Sequence, residues 1–235
     1  YTNPVYYVYS AIRYLSSSLA PAPATGIVAI GRDARIPPND THRELIVVVV
    51  GEAARADRFS LNGYARETNP LLSREQVISF GNIWSCGTST GVSVPCMFSS
   101  LGREAYDADQ ARHQENVLDV AQRAGAHVLW LDNNSDSKGV ATRVSFQDFR
   151  VPANNPVCDT ECRDVGMLPR LQQFIDSHPS GDIVVVLHQM GNHGPAYYKR
   201  YPPAFEKFKP TCQSNDLSRC TKDEIGNAYD NAILY

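Results

Sequence analysis

Three runs of apolar, mostly β-branched residues decide what this chain can fold into. They lie at 44–51 (ELIVVVVG), 126–132 (AHVLWLD) and 182–187 (DIVVVL). None alternates between polar and apolar positions, so none is a strand with one wet face. Runs that are apolar on both faces are strands covered by helices on either side, as in parallel α/β sheets. Between them, the stretches at 115–124 and 168–177 carry apolar residues at helical spacing. Strand and helix therefore alternate, which predicts a three-layer α/β/α sandwich with a mostly parallel central sheet. The 235 residues suffice for one large α/β domain or two small ones.

Each run exits into polar residues. The first leads into Gly51-Glu52-Ala53-Ala54-Arg55 and the second into the loop from Asp132 to Lys138. The third leads through His188 and Gln189 to Asn192, His193 and Gly194. Ligands of open α/β sheets bind outside the carboxyl ends of the strands. Glu52, the 134–138 loop and His193 are therefore expected on one rim. Glu52 is a hard oxygen ligand, a general base or a helix-start cap. Lys138 is either a phosphate contact or an idle surface cation. His193 sits between glycine-bearing turns, where packing asks little of a histidine; His188, directly after the strand, reads as a satisfied core histidine. A carboxylate, a hydroxyl and a histidine together suggest metal-assisted group transfer.

The hydroxyl comes from Ser85–Ser99 (SCGTSTGVSVPCMFS), which places a hydroxyl-rich turn between Cys86 and Cys96. Gly87, Ser89 and Gly91 let the backbone approach a ligand closely. Thr88 and Thr90 offer alcohols that serve as helix caps or as nucleophiles. The six cysteines form close pairs along the chain, Cys86 with Cys96, Cys158 with Cys162 and Cys212 with Cys220. Short-range pairs indicate local disulfides and an oxidising compartment. Zinc is the rival reading, but only the Cys158–Cys162 spacing approaches a metal knuckle, and no second pair matches it.

The net charge of −3 carries no electrostatic footprint for nucleic acid. No apolar run approaches the roughly 20 residues of a membrane span, and the chain does not open on a secretory signal. Tyr1 to Leu19 reads as a tyrosine-rich helix, suited either to a membrane interface or to packing on the domain. Ala20 to Gly26, with Pro21 and Pro23, reads as a linker. The expected division is a juxtamembrane helix and linker at 1–25 and a catalytic domain at 26–235.

Four segments then carry a resemblance: Val47–Asp57 (VVVVGEAARAD), Ser85–Cys96, Asp132–Gly139 (DNNSDSKG) and Gly191–Tyr198 (GNHGPAYY). In this order they resemble the lipid A phosphoethanolamine transferases, including the mobile colistin-resistance enzymes, within the alkaline phosphatase and sulfatase superfamily. The resemblance implies a zinc-dependent periplasmic domain on the Gram-negative inner membrane, conferring polymyxin resistance. It implies transfer of phosphoethanolamine from phosphatidylethanolamine to a threonine, then to a lipid A phosphate. The family nucleophile falls on Thr90 rather than Thr88, and the zinc-binding glutamate on Glu52. Headgroup contacts fall on Asn134, Ser135, Lys138 and His193, the last also near a second zinc in some members. The three cysteine pairs match family disulfides.

One departure stands out. The family completes its zinc site with a Ser-Asp-His-Gly-Glu segment and a later histidine, and this sequence has no such segment. It stops at Tyr235, within an expected helix starting near Thr221, and has no membrane domain before Tyr1. The expectation is a catalytic domain cut at both ends that binds zinc weakly by itself and is inactive. The alternatives are a transferase acting on another surface glycan, a superfamily phosphatase or phosphodiesterase, and a non-enzymatic periplasmic binding domain. A sulfatase proper is disfavoured, because sulfatases carry Cys/Ser-x-Pro-x-Arg where this chain has Thr90-Gly-Val-Ser.

Overall fold

The structure is a computed structural model that describes residues 4–19 and 26–235. The expected linker lies, apart from Gly26, outside the described residues. The three apolar runs form β1 (Leu45–Val50), β2 (His127–Asp132) and β4 (Ile183–His188). A fourth strand, β3 (Ser145–Asp148), joins them in the order β1-β4-β2-β3, with every neighbouring pair parallel. The register aligns strand ends: Val50 lies opposite His188, and His188 opposite Asp132. All three polar exits therefore leave from one edge of the sheet.

The helices are α1 (Pro4–Leu19), α2 (Thr90–Phe98), α3 (Ala108–Arg112), α4 (Val117–Ala124), α5 (Leu168–Ser177) and α6 (Lys222–Leu234). On one sheet face, Val94 and Phe98 of α2 and Leu118 of α4 pack against Val128, Trp130, Val184 and Val186. On the other, Met167 and Phe174 pack against Leu129, Leu131, Ile183, Val185 and Leu187. That is the expected three-layer sandwich. Trp130 is fully buried, with the Phe98 ring 5.4 Å away.

Local chemistry sets the helix ends. The helix expected at 115–124 starts at Val117, because Asn116 caps it: its side chain accepts from Leu118 N–H, while Asp119 accepts from Asn116 N–H. Gly125, at φ 114°, ends it in the left-handed region. Thr221 and Glu224 form the same box on α6, where the sequence expects a helix to begin.

One expectation needs correction. The first run predicts a strand covered on both faces, yet β1 is an edge strand. Its Leu45, Ile46, Val47 and Val49 are 39–54% exposed. In α1, Tyr7, Val8, Ile12 and Tyr14 are likewise more than half exposed. No described helix is long and apolar enough to cross a membrane.

Candidate active site

The site forms where β1 and β2 end and α2 begins. Thr90 is the first residue of α2, and its hydroxyl donates to Glu52 Oε2 at 2.8 Å. It does not cap the helix. Ser89 holds the N-cap position and makes no side-chain capping bond, so the first turn of α2 keeps unsatisfied N–H groups beside Thr90. Thr88 is exposed. The Cys86–Cys96 disulfide ties the loop before Thr90 to the body of α2. Gly87 lies close against Val92, where an added Cβ would come within 3.0 Å of its side chain.

Glu52 is not a helix cap either. Its Oε2 also accepts from Asn134 Nδ2 at 3.3 Å, and the same amide donates to the Gln189 carbonyl at 2.7 Å. Asn134 thus stitches together the exits of β2 and β4. Its Oδ1 is buried and has no partner among the described residues, an acceptor oxygen left over beside the carboxylate. The Glu52 backbone is clamped from below. Gly191, at φ 46°, brings its chain so close that an added Cβ would lie 2.9 Å from Glu52 N. Asn192 N–H donates to the Glu52 carbonyl at 2.9 Å.

The other expected site residues bond within their own loops. Lys138, at φ 54°, donates its ammonium to the Ser135 carbonyl. The His193 ring lies 2.9 Å from the Gly194 carbonyl through Nδ1, while the His193 carbonyl accepts from Arg200. So Glu52, Thr90 and Asn134 form one bonded group, while the side chains of Ser135, Lys138 and His193 make no hydrogen bond to it among the described residues. All three cysteine pairs are disulfides.

Beneath the group lies a buried polar layer that sequence reasoning only touched. His188 is fully buried and bonds through Nδ1 to Asp132 Oδ2 at 2.8 Å, an acceptor shared with Trp130 Nε1. Burial pushes the Asp132 carboxyl up, but the bonds from His188 and Trp130 outweigh it and leave its pKa lowered. The reading of His188 as a satisfied core residue holds for one nitrogen only, since Nε2 has no partner among the described residues. Asp164 accepts from Asn133 Nδ2, Met190 N–H and Gly191 N–H. Burial raises its pKa in spite of those bonds. It pins the same turn that supports Glu52, and no spacing in the sequence announces it.

Tyr229 of α6 was also missed. Its hydroxyl donates to the Ala53 carbonyl and accepts from Arg55 N–H at 2.8 Å, bracing the turn that follows Glu52. Burial pushes its pKa up to about 12, against the opposing effect of the Arg55 bond. The folded state thus holds the phenol neutral where the unfolded chain ionises. Its contribution is intact below pH 10 and is lost as pH rises toward 12, about 2–3 kcal/mol in all. Tyr229→Phe should therefore flatten the alkaline fall in stability. Urea unfolding of both proteins at pH 8, 10 and 11.5 checks it; parallel alkaline losses would disprove the assignment.

Glu52 and Thr90 fit a zinc ion in kind, being adjacent oxygen donors, but supply two of the four ligands such an ion takes. Among the described residues, no group of three His, Cys, Asp or Glu side chains is placed to hold a metal.

Phosphatidylethanolamine transferase Mcr-1 of Escherichia coli is 47% identical over 245 residues, covering 100% of this chain and 45% of that protein. Phosphoethanolamine transferase EptA of Escherichia coli (strain K12) is 48% identical, covering 89% of this chain and 39% of that protein. The chain therefore spans less than half the length of these curated relatives. The integral membrane lipooligosaccharide phosphoethanolamine transferase A (EptA) of Neisseria meningitidis superposes with a TM-score of 0.89 at 38% identity. That match covers 99% of this chain and 44% of that one. The family model described as Sulfatase matches residues 44–235, the stretch that holds the whole sheet and the Glu52–Thr90 pair, and the chain belongs to that family.

Proposed function

We propose that this chain is catalytic machinery of a zinc-dependent transferase that moves phosphoethanolamine from phosphatidylethanolamine to a lipid A phosphate. The observation that carries the reading is the 2.8 Å bond from Thr90, at the head of α2, to Glu52. A threonine hydroxyl is a weak nucleophile unless a neighbour takes its proton or a metal lowers its pKa. The full-length relatives named above are transferases of this headgroup, which supports the substrate class. The integral membrane character of the Neisseria meningitidis enzyme supports a membrane setting, and the disulfides support its periplasmic face, where they persist. The modification neutralises anionic lipid A charge, which accounts for resistance to cationic polymyxins such as colistin.

The chain's own residues divide the work as follows. Thr90 Oγ attacks the donor phosphorus as its proton passes toward Glu52. The bond from phosphorus to the diacylglycerol oxygen breaks, and phosphoethanolamine remains on Thr90. A lipid A phosphate oxygen then attacks the same phosphorus, and the Thr90 oxygen leaves and recovers a proton. The first-turn N–H groups of α2 and the Lys138 ammonium face charge on the nonbridging oxygens. Asn134 holds Glu52 in place, Ser135 flanks the headgroup, and His193 donates a proton to the leaving diacylglycerol alkoxide. Zinc, when bound by Glu52 and Thr90, supplies Lewis-acid stabilisation and a lower alcohol pKa. With two ligands of four, zinc affinity of this chain alone is expected to be weak.

Peptide mass mapping, without reduction, of full-length protein exposed to zinc and phosphatidylethanolamine tests the reading. The expected result is a phosphoethanolamine adduct on Thr90 in a peptide still linked from Cys86 to Cys96. Bare Thr90 beside bound zinc would move the assignment to a superfamily hydrolase or another donor.

A further inference from the structure

A groove of about 300 Å³ opens along α2, reaching Gly91, the residue that follows Thr90. Gly91 and Pro95 of α2 line it on the Thr90 side, together with Lys138 and Val140 of the neighbouring loop. Tyr106 and Arg112 line it from α3 and the segment before it. The proposed mechanism uses Lys138 but leaves the rest of this space without a role.

Charge in the groove is unequal in availability. Arg143 also lines it, but its guanidinium is committed to the buried Asp119 through Nε and Nη2. Glu115 is committed to Arg123 and to Ile30 N–H. Arg112 meets Asp109 at 2.9 Å, but both side chains are about two-thirds exposed or more, so water screens that pair. The hydrogen bond made by the Lys138 ammonium among the described residues goes to the Ser135 carbonyl, which leaves donors over. Two cations thus remain able to take a ligand, one on each wall, with a half-buried tyrosine between apolar side chains.

That lining selects a ligand class. The donor headgroup, phosphoethanolamine, is zwitterionic, and its ammonium is repelled by a second cation. This groove is small for a ligand pocket and carries a cation on both walls. A sugar ring bearing a phosphomonoester fits it better. The phosphate meets a cation beside Thr90, the ring lies on the aromatic face, and a second anionic substituent meets the guanidinium, which suits oxyanions bidentately.

We propose that this groove is the acceptor subsite, holding the phosphorylated sugar of the acceptor with Lys138 on its reactive phosphate, Tyr106 against its ring and Arg112 on a further anionic group. The proposal rests on the transferase reading above, and the two half-reactions separate their failures. In full-length protein, adduct formation on Thr90 from phosphatidylethanolamine alone is timed by intact mass. Acceptor KM is then measured with purified lipid A. Arg112→Ala should raise acceptor KM about tenfold and leave the rate of adduct formation within about twofold of the parent. Arg112→Lys should recover part of the loss, and Tyr106→Ala should shift acceptor KM in the same direction. An unchanged acceptor KM in both alanine variants overturns the proposal. Slowed adduct formation also overturns it, by giving the groove to the donor. If the parent protein forms no adduct at all, the transferase reading fails and the subsite falls with it.

Discussion

Thr90→Ala in the full-length protein should abolish headgroup transfer, by at least about a thousandfold, while leaving the fold intact. The magnitude follows from the role: removing a nucleophile removes the covalent route and leaves only positioning and charge stabilisation. The fold should survive because Thr90 is half-buried at a helix start, and the N-cap position belongs to Ser89. The change deletes one hydrogen bond to Glu52 and no core packing. Thr90→Ser should retain part of the activity, since it keeps the hydroxyl. The measurement is transfer to lipid A alongside thermal unfolding of each variant. Activity surviving in the alanine variant with a normal melting curve would refute a covalent role for Thr90 and favour direct transfer or hydrolysis.

Asp230→Ala should be the most destabilising single change outside the apolar core. Asp230 of α6 is fully buried and pairs with both Arg58 at 3.1 Å and Arg66 at 2.9 Å. Tyr64 also donates its hydroxyl to it at 2.8 Å. Removing the carboxylate leaves two guanidinium groups facing each other across the hole. Breaking a buried pair from one side costs about 3–5 kcal/mol. The arginine side chains are 29% and 39% exposed, so water can partly rescue them, which places the loss near about 3 kcal/mol. For a chain of this length that is a melting temperature lower by roughly 6–12 °C. Asp230→Asn keeps the shape and some hydrogen bonds and should lose less. A fall of under about 1 °C in the alanine variant would show that α6 is held by packing alone.

Much of the fold was legible because β2 and β4 are buried on both faces and must be written in apolar residues. The helix at 168–177 appeared in the structure with the bounds its periodicity suggested. Strand β3 left no such trace. It sits at a sheet edge, and Phe146 is the one large apolar residue among its four. Helix α2 announced only its start, through hydroxyls suited to a helix N-terminus, while hydroxyl residues and Pro95 dilute any apolar stripe along it.

In the candidate site, the positions of Glu52 and Asn134 were legible as polar residues after strands, whereas the choice of Thr90 over Thr88 came from the family resemblance and not from the turn itself. What escaped was the support. Asp164 and Tyr229 reach Gly191 and Ala53 from elements far along the chain, by hydrogen bonds to main-chain groups. Such bonds ask nothing of the residue type at the receiving position, so they leave no pattern there. His188 looked settled because it follows a strand, but a residue's surroundings do not reveal how many of its two nitrogens find partners.

The exposed flank of β1 has a consequence for handling the molecule. It presents a row of apolar side chains next to main-chain groups that no described strand pairs with. An open edge of this kind is a template for another strand. Two copies of this polypeptide in concentrated solution can satisfy one another there, edge to edge, and further copies can add to the open sides. Self-association through Leu45–Val50 is then the hazard to guard against in concentrated preparations, by dilution or by a charged residue placed on that strand.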